Sequence, residues 1–247
     1  MADGVDVVFH LAGIPGTTSE TEYECGYQTN LLGSLELLQQ LRDQPRPPIM
    51  IYPGSAHGQR SERLEQPKCS FAAHAHMVEI AVGDLSRRGE IDGRVLRLPT
   101  IVRRPGAGYG DHCAFMSELL HACATGQAYC CPVAADTPLA WMSAPCCVDN
   151  LLRAAEIDYF GSRRVCQLAG LVLSPAQLLR ALRARFGSAT GALISFASDP
   201  KLEAALGRVG KAKRVAMQAF GFEHDGSAAA LLRNVFDAVP SLLPKEH

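Results

Sequence analysis

The run Val5-Asp6-Val7-Val8-Phe9-His10-Leu11-Ala12-Gly13 constrains this chain more than any other stretch. It has strand length, is largely β-branched or apolar, and closes in small residues. A run with so little polar alternation suits a strand covered on both faces, as in a parallel sheet flanked by helices. The next residues repeat that logic. Asn30, Leu31, Leu32, Leu35, Leu37, Leu38 and Leu41 recur at helical spacing as far as Arg42. Pro45, Pro47 and Pro48 stop the helix, and Ile49-Met50-Ile51-Tyr52 reads as the next strand. A helix over about 70–88, a turn over 89–93 and a third strand, Val95-Leu96-Arg97-Leu98, stopped by Pro99, complete the series. Strand, helix, strand, helix, strand with short links predicts an α/β fold built on a doubly wound parallel sheet with right-handed crossovers.

Beyond Pro105-Gly106-Ala107-Gly108-Tyr109-Gly110 the pattern loosens. Helices are expected at 114–125, 147–158, 175–186 and 227–238, with short strands near 138–143, 164–168 and 192–196. These pieces read as a smaller C-terminal lobe on the carboxyl edge of the sheet, dividing the chain into 1–105 and 106–247. A net charge of -1 offers nothing to nucleic acid or to an anionic membrane surface. No apolar run approaches the roughly 18 residues of a spanning helix, and the start lacks a basic-then-apolar signal, so a cytoplasmic protein is expected. The nine cysteines are odd in number, fall partly in the adjacent pairs Cys130-Cys131 and Cys146-Cys147, and form no Cys-x-x-Cys. They read as reduced thiols, with no metal site.

Longer motifs add a resemblance. Val-Asp-Val-Val-Phe-His-Leu-Ala-Gly at 5–13 and Asn30-Leu-Leu-Gly33 resemble the middle of extended short-chain dehydrogenases/reductases, the NAD-dependent epimerase/dehydratase superfamily. Ser86-Arg-Arg-Gly-Glu-Ile-Asp-Gly-Arg94, Leu96-Arg-Leu-Pro-Thr-Ile101, Arg104-Pro-Gly106, Cys131-Pro-Val133, Met142-Ser143 and Asn150-Leu-Leu-Arg-Ala-Ala-Glu156 narrow it to the D-erythronate dehydrogenase subgroup. The resemblance implies a Rossmann-type domain, partial here, over 1–105 and a substrate-binding lobe over 106–247. It also implies NAD as cofactor, a small hydroxy acid as substrate, and a homodimer formed through the helices at 30–42 and 70–88.

Two departures from the family pattern stand out. The family opens with a strand, a Gly-x-x-Gly-x-x-Gly turn and a helix whose N-terminus holds the cofactor pyrophosphate. This sequence begins at what looks like the fourth strand, two crossover units or roughly 60 residues later at about 30 per unit; an N-terminal truncation and weak cofactor binding are expected. The family also uses Tyr-x-x-x-Lys on one helix face, where the lysine charge lowers the tyrosine pKa so that the phenolate can act as base. Here those positions fall on Phe71 and Ala75.

By resemblance, the cofactor-lining residues are His10, Leu11, Ala12, Gly13, Asn30, Leu98, Pro99 and Thr100, with the His10 imidazole serving packing. Ser55, or Gly54 in an ungapped match, holds the place of the hydroxyl that orients substrate. Arg104 is either a substrate-carboxylate partner or a plain surface group, and the family's substrate serine and arginine fall on Cys113 and His121. His74, three residues after Phe71, could face the same cleft as a replacement base. Trp141 reads as a core anchor. The leading expectation is an NAD-dependent dehydrogenase-like protein, impaired or inactive as written, related to enzymes that oxidise a sugar acid such as D-erythronate. Two alternatives stay open: a non-catalytic pseudoenzyme or truncated product that acts by binding, and a nucleotide-sugar epimerase/dehydratase relative.

Overall fold

The structure, a computed structural model, describes residues 4–55, 67, 69–102, 114–206 and 214–237. In chain order the elements begin with β1 (Val7–Phe9), α1 (Gly16–Thr21), α2 (Tyr23–Gly26), a π-helical stretch Tyr27–Leu32 and α3 (Gly33–Arg42). β2 (Ile49–Ser55), α4 (Ser70–Arg87), β3 (Asp92–Leu98), β4 (Thr100–Val102) and α5 (Ala114–Thr125) follow. Then come β5 (Tyr129–Cys131), β6 (Leu139–Ser143), α6 (Ala144–Glu156), β7 (Val165–Gln167) and β8 (Leu171–Leu173). The chain continues through α7 (Pro175–Phe186), β9 (Ile194–Phe196), α8 (Pro200–Leu206), α9 (Arg214–Ala219) and α10 (Ala228–Asp237). They gather into two compact units, one of Met1–Leu98, Asp149–Leu168 and Ala212–Phe222, the other of Pro99–Val148, Ala169–Lys211 and Glu223–His247.

The first unit is the expected parallel α/β sheet. Its order is β1-β2-β3-β7, with every pair parallel. β1 is an edge strand of this sheet and only three residues long, shorter than the apolar run 5–13 that contains it. Helices α3 and α4 supply Leu38, Leu41, Val78, Val82 and Leu85 to a core shared with Met50, Tyr52 and Val95 of the strands and with Ile91 just before β3. The seat of α4 on β3 is glycine-dependent. A Cβ on Gly93 would stand 2.3 Å from Val82 Cγ1 and 2.7 Å from Ser86 Oγ. Ser86 Oγ instead accepts from Gly93 N–H (3.0 Å) and donates to Val82 O (2.6 Å), so helix and strand are joined where they come closest. Buried Arg94 extends this join: Nη1 donates to Ala154 O (2.5 Å) at the end of α6, and Nη2 to Asp92 (2.6 Å), whose other oxygen accepts from Arg164 (2.5 Å).

In the second unit β4 pairs in parallel with β6, β6 pairs antiparallel with β8, and β5 pairs with β9. Trp141 is fully buried among Leu119, Leu178, Leu182, Leu231 and Phe236, with Nε1 donating to Leu173 O (2.8 Å). The core-anchor reading of that residue holds. α7 shows why its boundaries were readable in advance. Ser174 and Gln177 form a reciprocal capping box that spans Pro175, and Gly187 closes the helix at φ 101. Asp225 ties the β6 end to α10, accepting from Ser143 N–H (2.9 Å), Ser143 Oγ (2.6 Å) and Asn234 Nδ2 (2.8 Å).

Candidate functional site

The carboxyl end of β1 is where small residues matter. Leu11, Ala12 and Gly13 leave the sheet as an exposed loop, Leu11 being 59% accessible. Asn30 fixes the loop from below. Its Oδ1 accepts from Ile14 N–H (2.7 Å), while Nδ2 donates to Ile14 O (3.0 Å) and Ser19 Oγ (2.9 Å). A Cβ on Gly13 would press to 3.3 Å of that same Oδ1. Asn30 lies in the π-helical stretch, where Gly33 N–H reaches back to Gln28 O; π turns of this kind recur at functional sites. His10 is turned the other way. Its ring stacks on Tyr52 at 5.8 Å, and its Nε2 meets Ser34 Oγ at 2.8 Å. Ser34 spends its own proton on Asn30 O (2.8 Å), which leaves His10 Nε2–H as the donor. Burial pushes the His10 pKa below its usual value, so a neutral packing imidazole fits this geometry.

Phe71, Ala75 and Glu79 follow at i, i+4 and i+8 on α4. Phe71 is half-buried against Gly16 of α1, where an added Cβ would meet Phe71 Cβ at 3.6 Å; Ala75 is buried. His74 does not open toward a cleft. It is 2% exposed and enclosed by the rings of Tyr23 (5.8 Å) and Tyr27 (6.0 Å). Burial also lowers its pKa, against the attraction of Glu20. One turn beyond Ala75, Glu79 receives a two-pronged ion pair from Arg97, with Nε at 2.9 Å from Oε2 and Nη2 on Oε1. This pair sits beside Gly54, whose register partner is Arg97, while Ser55 pairs with Leu98. Burial and the Glu79 charge push the Tyr52 phenol up to about 12.

In the other unit Thr100 is buried at the start of β4, in register with Trp141. His121 is half-buried on α5, its Nδ1 without a hydrogen-bond partner. Arg104 and Cys113 lie outside the described residues. Among the described residues no three His, Cys, Asp or Glu side chains converge as a metal cage.

No family model matches the chain. Curated relatives do. A D-erythronate dehydrogenase of Cupriavidus necator is 32% identical over 239 residues, covering 92% of this chain and 73% of the relative. The chain belongs to the D-erythronate dehydrogenase family. A second member, from Haemophilus influenzae, is 28% identical over 213 residues, 82% of this chain and 67% of its own. Among solved structures, a nucleoside-diphosphate-sugar epimerase from Agrobacterium tumefaciens superposes with a TM-score of 0.85 at 27% identity, covering 96% of this chain and 73% of that one.

Sequence reasoning had not singled out the Glu79–Arg97 pair, nor Tyr23, Tyr27 and Glu20 around α4. Glu79 was findable, since it continues the 71/75 helix face and is the first charge on it. The tyrosines were not, because they meet His74 only through tertiary packing. Of the nine cysteines, none of the eight described is in a disulfide, and burial pushes Cys123, Cys147 and Cys166 up to about 11.

Proposed function

We propose that this chain is an NAD(H)-binding, dehydrogenase-like protein of the cytosol that takes a small hydroxy acid of the D-erythronate type, with its acid–base step impaired. The observation that carries this reading is the exposed loop Leu11-Ala12-Gly13, held open at the carboxyl edge of the parallel sheet by Asn30. Ligands of open α/β sheets bind outside the carboxyl ends of the strands. The exposed main chain and absent bulk at Ala12 and Gly13 fit the nicotinamide side of such a cofactor. Leu98 at the end of β3, with Pro99 and Thr100 after it, would add main-chain groups. When bound, NAD supplies the hydride acceptor. In this reading Ser55 orients the substrate hydroxyl, Arg104 faces the carboxylate, and His121 and Cys113 replace the family's arginine and serine. The hydroxyl proton has no ordinary destination, because Phe71 cannot ionise and Ala75 carries no charge to stabilise a base. Those two residues favour a second reading, a non-catalytic binding protein. The likeness to the Agrobacterium tumefaciens epimerase supports a third, a nucleotide-sugar epimerase or dehydratase relative.

A homodimer belongs to the same proposal. The groove of about 410 Å³ between α3 and α4, lined by Leu35, Leu38, Ala81 and Leu85 and edged by Arg42 and Asp84, suits helices of a second copy. The deciding experiment is titration calorimetry of the 247-residue chain with NAD and, separately, with a nucleotide sugar. With no Gly-x-x-Gly-x-x-Gly among its residues, NAD binding in the millimolar range is expected, around -4 kcal/mol. Micromolar NAD binding overturns the impairment. Nucleotide-sugar binding tighter than NAD binding shifts the reading to the third.

A further inference from the structure

α4 turns one imidazole inward against the helical segment 16–32. His74 is enclosed by the rings of Tyr23 and Tyr27, which stack on each other at 5.9 Å, and its Nδ1 reaches no hydrogen-bond partner. The charged group facing it is Glu20 of α1. That carboxylate is already engaged, its Oε2 accepting from Ser70 N–H (2.8 Å) at the first turn of α4. On α4 itself the neighbouring positions are Phe71, Ala75 and Val78, none of them titratable. A neutral imidazole tolerates this contact with the rings, whereas an imidazolium would carry a buried Nδ1–H with no hydrogen-bonded anion to receive it. The same segment carries Ser19 and Asn30, which hold the Ile14 end of the exposed loop, and Gly16, which rests on Phe71. What holds the segment to α4 therefore also holds the loop.

We propose that neutral His74 is the latch fastening segment 16–32 to α4, and that mild acid opens the latch by protonating this imidazole. The direction of the effect follows from linkage. Burial keeps the native His74 pKa below the 6.5 of a free imidazole, despite the pull of Glu20. The closed state is fully favoured above 6.5 and loses stability as pH falls from 6.5 toward the native value, because the opened segment binds the proton more tightly. Within that window the opening constant rises roughly tenfold per pH unit. His10 is half-buried with a lowered pKa, and it touches this segment through Ser34, so its contribution needs a separate variant.

Hydrogen exchange followed by mass spectrometry on the 247-residue chain between pH 8 and 5, corrected for the intrinsic pH dependence of exchange, reads the latch directly. Peptides covering 17–32 should lose protection roughly tenfold per pH unit below 6.5 in the unaltered chain. The same loss is expected in His10→Gln, whose amide can still donate to Ser34, and a flat response in His74→Phe, which keeps a ring but takes no proton. A flat response in the unaltered chain, or an undiminished acid response in His74→Phe, overturns the proposal. Should His74→Phe fail to fold, the ring resonances of His74 in the unaltered chain decide it. Titration at or above 6.5 rejects the latch, and titration below 6.5 supports it. None of these readouts involves a nicotinamide cofactor, so they stand apart from the function proposed above.

Discussion

Phe71 and Ala75 are chemically silent, yet they sit one helical turn apart on the α4 face that also carries the Glu79–Arg97 ion pair. Two positions so placed could carry a tyrosine–lysine pair without backbone movement, and the proposal above is that their silent side chains impair the chain. If that is the main defect, Phe71→Tyr with Ala75→Lys should raise NAD-dependent oxidation of a small hydroxy acid by about 10²–10⁴-fold, the usual worth of general acid–base help. The assay is best run on the chain as it stands and on one extended with the N-terminal segment of the Cupriavidus necator relative, of which this chain spans 73%. An extended double variant that binds NAD but stays inactive across four- to six-carbon sugar acids counts against the dehydrogenase reading and points to His121 and Cys113. Activity in an extended chain with Phe71 and Ala75 untouched counts against the impairment instead. At this scale the legibility was uneven. Positions 71 and 75 were picked out by the resemblance to the family's Tyr-x-x-x-Lys helix, whereas the direction of the His74 ring depended on Tyr23 and Tyr27, whose own pattern says nothing about α4.

α4 is the element on which most of the first unit turns. It is anchored at its start by Glu20 on Ser70 N–H, in its middle by Glu79 on Arg97, and near its end by Ser86 on Gly93. Gly93→Ala should cost about 1–3 kcal/mol, because a methyl group there has to displace Val82 and Ser86 from a close-packed seam. Urea unfolding should show a lower midpoint with an unchanged slope; a variant as stable as the parent would mean that the helix can shift without cost. Helices with strong local signals were readable at this scale. α5 and α7 have the limits expected from apolar spacing, and α7 adds its capping box. The stretch before Asn30 was not readable: α1, α2 and the π turn have no continuous apolar stripe, and their helical form depends on packing against α4 and on the Ser19–Asn30 bond. β4, β5 and β8, three residues each, were too short to carry an alternation.

Across the whole molecule the chain interleaves its two units. β7 comes from Val165–Gln167 yet completes the sheet begun by β1, β2 and β3, with Arg97 O accepting from Leu168 N–H at 2.9 Å. A fragment of residues 1–105 would lack β7 and the α6 carbonyls that Arg94 occupies, leaving β3 as a second open edge. Such a fragment is expected to aggregate or to remain unfolded by circular dichroism and size exclusion, whereas a monodisperse, folded fragment would show β7 to be dispensable. By itself the sequence determined the α/β class, the parallel strands and the long helices, because apolar periodicity and proline or glycine stops act locally. It also carried the family, because the matching motifs are written in its residues. Only the tertiary structure decided that β7 joins the first sheet, that His74 packs against a stacked pair of tyrosines, and that Arg97 is spent on Glu79. Each of these is a contact between residues 18 or more positions apart, whose stability comes from burial and pairing that no local pattern encodes.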